Sequence, residues 1–234
     1  MDSAHPLAVV TPTLDGDVLA RLALADAAFT PGQLQRLVPT ASVDGVRRVL
    51  NRLSTQGIVI ATRVGNAAVM YTLNRDHVAA PAIVSLASQH VVVRHRLREA
   101  IAAWDLKPVH AALFGSWARR DGDAASDIDL LLVRPDDDGS PQDRRHAGLA
   151  DELWDDQIAK LESDLTRWTG NDARALVISE LQFVQHPDDP VLVSVAHEGT
   201  PVHGDAAAFR KRVLDAARAR QAENCGLEPP EEGW

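Results

Sequence analysis

The sequence predicts an α/β (α+β) protein made of two unlike parts joined by a helical connector. Three observations carry that expectation. Residues 15–76 read as three short helical patterns followed by two β-rich stretches around a Gly-Asn turn. Residues 77–104 keep a single apolar period of three to four. Residues 105–222 alternate apolar strands with amphipathic helices, the pattern of a mixed sheet with flanking helices.

Residues 1–14 contain Pro and Thr, lack periodicity and read as a loose lead-in. In the first helix Val18, Leu19, Leu22 and Leu24 share a stripe. Thr30 is a natural cap and Pro31 a natural first residue for the second helix. Pro39 to Ser42 reads as a turn, and Ser42 caps a third helix whose Val43, Val46, Val49, Leu50 and Leu53 face inward. Gly57 stops that helix. Ile58 to Arg63 is a strand by its β-branched content, Gly65-Asn66 a turn, and Ala68 to Leu73 the returning strand. From His77 to Trp104 the positions Ile83, Leu86, His90, Val93, Leu97, Ile101 and Trp104 predict one long helix, either a connector between domains or a dimer helix.

The segment GVRRVLNRLSTQGIVIATRVGNAAVMYTLN resembles the recognition helix and wing of the MarR-like and ArsR-like winged helix-turn-helix regulators. The resemblance implies that the third helix enters the major groove of DNA. Its outward residues include Arg47, Arg48, Asn51 and Arg52, with Arg63 on the wing. Arginine suits phosphate and guanine edges, and asparagine suits adenine. The formal net charge of −9 excludes non-specific coating of nucleic acid, so any DNA contact must come from this local basic patch.

The second part opens on a buried strand, Val109 to Phe114, that ends at Gly115-Ser116. Backbone N–H groups at such a strand-to-helix junction suit a phosphate, and glycine lets the backbone approach closely. An acidic turn leads to Ser126-Asp127-Ile128-Asp129 and the apolar run Leu130 to Val133. Asp127 and Asp129 are two residues apart, so on a strand both leave one face. Two adjacent carboxylates repel unless a cation lies between them, and hard divalent cations prefer such oxygen donors. Downstream, Asp151 to Trp168 is an amphipathic helix, Ala173 to Ser179 a strand, Val191 to Ala196 a helix and Ala206 to Ala222 a last helix. Residues 223–234 form an acidic, Pro-rich tail.

Gly115-Ser116 followed by Asp127-Ile128-Asp129 resembles the DNA polymerase beta nucleotidyltransferase superfamily, especially its minimal members, over about residues 105–204. The resemblance implies a domain at 105–222 that moves a nucleoside monophosphate from a triphosphate to a hydroxyl of a protein, an RNA or a small molecule. It implies Gly115, Ser116, Arg119 and Ser126 around the nucleotide, and Asp127 and Asp129 on Mg2+. Minimal members often act in toxin–antitoxin pairs. Two departures stand out. Relatives often carry Gly where Arg120 stands. They also carry a third carboxylate on the strand that here reads Ala173 to Ile178 and holds no acid. Glu180 and Asp172 flank that strand, and Glu180 is the better substitute by position. With its winged helix, such a transferase is expected to be autoregulatory or toxin–antitoxin related and to form a homodimer; the missing acid admits a second reading, a DNA-binding transcription regulator whose degenerate transferase fold senses nucleotide or scaffolds a dimer.

One cysteine, Cys225, excludes an internal disulfide framework and a thiolate zinc site and fits a reducing cytoplasm. The N-terminus has no signal-peptide pattern and no run approaches the length of a membrane span, so a cytoplasmic protein is expected.

Overall fold

The N-terminal helices begin where side chains can satisfy their first amides. In this computed structural model, which describes residues 1–65, 68–136 and 144–224, α1 (Leu14–Ala23) is followed by α2 (Pro31–Leu37) and α3 (Val43–Thr55). Thr30 and Gln33 form a reciprocal capping box on α2, and Ser42 Oγ accepts from Gly45 N at 3.0 Å on α3. Gly57, at φ 75°, ends α3: its N–H donates to Ser54 O and that of Ile58 to Leu53 O, the paired bonds of a Schellman motif. The chain then turns through β1 (Val59–Val64) and β2 (Ala68–Leu73), antiparallel, with Val59 opposite Leu73 and Val64 opposite Ala68. Asn66, half of the expected turn, lies outside the described residues.

Residues 1–14 are not loose. A 3-10 turn at Pro6–Val9 buries Leu7 in the core, and His5 Nδ1 lies 2.6 Å from Asp17 Oδ1. One turn is too short to display a period, which is why the sequence pattern hid it. The expected helix from 77 to 104 is also two helices, α4 (Ala80–Ala87) and α5 (Gln89–Ala102). At Ser88 the backbone leaves helical geometry (φ −101°, ψ 20°) and its N–H is shared between Val84 O and Ser85 O. The apolar period runs through the break, because a one-residue interruption leaves the spacing almost intact. Met1–Val92 and Val93–Trp234 form two separate units, so the division falls within α5. The first unit's core joins Val18, Leu22, Leu34, Val46, Leu50 and Leu53 to Tyr71, Leu73 and Ile83.

The second unit is built on β3 (His110–Phe114), α6 (Gly115–Arg119), β4 (Ile128–Arg134), α7 (Arg144–Thr169), β5 (Ala173–Ser179), α8 (Glu180–Gln185), α9 (Pro190–Glu198), β6 (Thr200–His203) and α10 (Ala206–Asn224). The sheet order is β5-β4-β3-β6; β4 and β5 are parallel, and the other pairs are antiparallel. The result is a mixed α/β fold. β4 is central, and Ile128 and Leu130 to Val133 are each at most 1% exposed, so both of its faces are covered. One face packs Leu131 and Val133 with Ala112 against Phe183, Leu192, Val195, Phe209 and Val213. Trp104 meets Trp154 of α7 edge-on at 5.5 Å. At the outer edge, Ala175 N of β5 donates to Glu162 Oε1 of α7 at 2.7 Å. No described helix is long and apolar enough to cross a membrane. The last helix extends to Asn224, so Glu223 and Asn224 are helical, and Cys225 with the rest of the expected tail lies outside the described residues.

His110 is the buried titratable group of this core, stacked on Phe209 with ring centroids 4.1 Å apart. Burial, and then the neighbouring His203, push its pKa down to about 4 against the opposing pull of Asp205. The imidazole therefore stays neutral in the fold while the unfolded chain takes up a proton near pH 6.5. Its contribution is intact above pH 6.5 and is lost as pH falls toward 4, on the order of 3 kcal/mol in all. Denaturant titrations at pH 7 and pH 4.5 should find that His110→Phe loses distinctly less stability between the two than the wild type. Equal losses would remove His110 from the acid sensitivity.

Candidate active site

The site is set by what must fit at the end of β3. Phe114 faces Asp129 across the antiparallel β3–β4 pair, and Gly115 follows at φ 67°. A Cβ at residue 115 would sit 2.5 Å from Asp129 Oδ2, so only glycine lets the carboxylate lie against the backbone. From there α6 turns back over five residues and ends at Arg120, whose φ of 62° is the one positive value outside glycine among the described residues. That conformation explains why glycine suits the position and makes Arg120 a strained replacement.

The acidic turn before β4 is held from below. Asn171, 2% exposed, donates its Nδ2 to the carbonyls of Asp123 (3.3 Å), Ala124 (3.3 Å) and Ser126 (2.9 Å). Ser126 Oγ donates to Asp123 Oδ1 at 2.8 Å, and that bond, with Ala125 N, lowers the Asp123 carboxyl below its usual range. Ser126 therefore shapes the turn that delivers Asp127. Arg119 is tied at Nε to Asp121 Oδ2 (3.0 Å) and at Nη1 to Glu198 Oε1 (2.9 Å), and Ser194 Oγ donates to that same Glu198 oxygen.

Asp127 stands just before β4 and Asp129 within it. Partial burial, and then repulsion from Asp127, raise the Asp129 carboxyl above its ordinary value; Arg174 and Arg119 pull the other way. Arg174 lies in register beside Asp129 on β5, and its Nη2 is 3.4 Å from Asp127 Oδ2. Two carboxylates at one strand start suit a single hard cation whose other ligands are water and phosphate oxygens. Among the described residues no three His, Cys, Asp or Glu side chains converge as a metal-holding group.

Gly115, Ser116, Arg119, Ser126, Asp127 and Asp129 thus gather at one end of the sheet. Glu180 does not join them. β5 runs parallel to β4, with Arg174 beside Asp129 and Ser179 beside Arg134. Glu180 follows Ser179, more than five strand residues away, which at about 3.3 Å per residue is at least 16 Å. It borders a hollow with Val133, Phe183 and Lys211 instead. Asp172 is at the correct end, its carbonyl accepting from Ile128 N at 2.7 Å, but its side chain is exposed. Asn171, Arg174 and Glu198 were not singled out by sequence. A charged residue alternating with apolar ones in a strand was the available signal for Arg174.

In the first unit Arg47, Arg48, Asn51 and Arg52 lie exposed on α3, and Arg63 is exposed on β1. Arg47 pairs with Asp44 at 3.0 Å, and Arg52 pairs with Asp15 of α1. Among the described residues, Arg48 and Arg63 make no ion pair.

Residues 95–202 match the model of the nucleotidyltransferase domain. Among solved structures, one described as a toxin–antitoxin with AMP-PNP aligns at 15% identity over 57% of this chain and 93% of that one, with a TM-score of 0.38. A second, described as the toxin–antitoxin MntA-HepT, aligns at 14% identity over 58% of this chain and 93% of its own, with a TM-score of 0.34. No curated protein matches the chain.

The raised Asp129 carboxyl has a consequence for stability. A charge that the fold disfavours costs stability once it ionises, so this group's penalty is absent below its unfolded value and grows as pH rises through the folded one. Asp129→Asn should therefore be more stable than wild type at pH 7 without ligand. The difference should shrink as pH falls into the ordinary carboxylate range. A destabilised Asp129→Asn at neutral pH would contradict this. The two left-handed positions should respond with opposite signs. Gly115→Ala should lose at least about 1 kcal/mol, and Arg120→Gly should gain up to about 1 kcal/mol, by chemical denaturation.

Proposed function

We propose that the second unit is a magnesium-dependent nucleotidyltransferase, moving a nucleoside monophosphate from a triphosphate to the hydroxyl of a protein, RNA or small-molecule acceptor. The observation that carries this reading is the carboxylate of Asp129 lying against the backbone of Gly115, with Asp127 two residues before it, inside the segment that matches the nucleotidyltransferase domain. Gly115 and Ser116 present backbone N–H groups to the outer phosphates. Arg119 is held beside them by Asp121 and Glu198, which offset its charge, so it supplies oriented N–H donors more than net positive charge. Asp127 and Asp129 would hold Mg2+, which would supply the charge that stabilises the α-phosphate and the departing pyrophosphate. The acceptor oxygen attacks the α-phosphorus in line, the bond to the bridging oxygen breaks, and the hydroxyl proton passes to solvent.

We further propose that α1 to α3 with β1 and β2 form a winged helix-turn-helix that binds DNA. Three helices followed by an antiparallel hairpin support it, as does the exposed row Arg47, Arg48 and Asn51 with Arg63 on the hairpin. Arg52 contributes less than its position suggested, because Asp15 already neutralises it. One observation favours a second reading, a regulator that senses nucleotide without transferring it: no third acid joins Asp127 and Asp129 among the described residues.

Labelled triphosphate, Mg2+ and cell extract separate these readings. Labelled product that disappears in Asp127→Asn and Asp129→Asn supports transfer; Mg2+-dependent binding without product supports the sensor. Unchanged nucleotide affinity in both variants removes the metal-holding roles. For DNA, Arg48→Ala and Arg63→Ala should each lower the slope of log affinity against log salt by about 1 on the chain's own upstream region, and Arg52→Ala by less. Absence of any wild-type DNA binding at low salt would reject the winged-helix assignment.

A further inference from the structure

Arg174, on β5, stands beside both aspartates. Residues paired in parallel register leave neighbouring strands on the same side, so Arg174 rises from β5 on the face from which Asp129 rises from β4. Its guanidinium is 3.4 Å from Asp127 Oδ2 and acts electrostatically on Asp129. The protein thus supplies part of the positive charge that two adjacent carboxylates require. The arrangement is not a locked pair. The Arg174 side chain is 71% exposed, and a single contact at 3.4 Å holds one corner of a group able to make five donations. A pair so exposed to water is cheaply broken.

We propose that Arg174 binds the phosphate chain of the nucleoside triphosphate, exchanging partners when the site fills. Without ligand it neutralises Asp127. When a divalent cation takes its place between Asp127 and Asp129, the guanidinium swings to the phosphates, where its planar fork matches two oxygens at once. The cation replaces arginine on the carboxylates, and arginine passes to the phosphates, so each acidic group keeps a cationic partner in both states. The metal and the arginine therefore compete for Asp127 when nucleotide is absent and cooperate when it is present. This rests on the nucleotide-binding reading above and adds a residue and an order of events to it.

The two halves of that statement have opposite signs in one variant. In Arg174→Ala, Mn2+ alone should bind several-fold more tightly than in wild type, read from the free-Mn2+ electron paramagnetic resonance signal, because its competitor is gone. A non-hydrolysable nucleoside triphosphate with Mg2+ should bind about 10- to 100-fold more weakly by isothermal titration, the usual range for losing charge-assisted hydrogen bonds. Arg174→Lys, a point charge without the fork, should recover only part of the triphosphate affinity. The side chain is exposed, and equal melting curves will show that the variants remain folded. Weakening of both ligands, or no change in triphosphate affinity, overturns the role of Arg174. If wild type binds triphosphate and the variants bind it equally, only this inference falls. If wild type binds no triphosphate at all, the nucleotide reading falls, and this inference with it.

Discussion

Phe114 and Asp129 are partners across β3 and β4, and the next residue after Phe114 must turn without a side chain because the Asp129 carboxylate is already there. This close approach connects the strand pairing to the start of α6 and to the position of the acid. A side chain at residue 115 would push the carboxylate from the mouth of the sheet or force α6 to begin elsewhere. The arrangement also costs stability. It half-buries a negative charge beside a second one, and the raised Asp129 carboxyl is the sign of that cost. A centrally buried β4 absorbs it, since five of its residues, Ile128 and Leu130 to Val133, are almost wholly removed from water.

Much of this was legible in the sequence because it is local. Thr30, Ser42 and Gly57 signal helix ends by chemistry that acts over three or four residues, and the structure uses each of them as a cap or stop. Gly115-Ser116 and Asp127-Ile128-Asp129 are legible for the same reason: the turn and the alternation of a strand fix them within a few residues. The break at Ser88 was not, because a kink that preserves the apolar period leaves no mark on the period. The 3-10 turn that buries Leu7 was hidden by its shortness.

What could not be read is whatever depends on register across a crossover. Arg174 meets Asp129 only because β4, the long α7 and β5 return the chain in parallel at one particular offset. That same offset carries Glu180 to the far end of the sheet. Sequence position alone made the acid after the strand look nearer than the arginine inside it. Asn171 is a parallel case. Its amide reaches carbonyls more than forty residues earlier, and nothing in its neighbourhood beyond the end of a helix marks it as the support of the turn before Asp127.

The bond from Ala175 to Glu162 bears on a different hazard. β5 is an edge, and an edge strand offers its free amides to any extended chain that comes alongside. Here a newcomer would find the amide in the first half of that edge already taken, by a carboxylate that also repels backbone carbonyls seeking the same donor. The sheet is thereby discouraged from lengthening out of one molecule into the next. Resistance to strand-by-strand aggregation rests in part on a glutamate that sits on a helix, where an inspection of the strand alone would not find it.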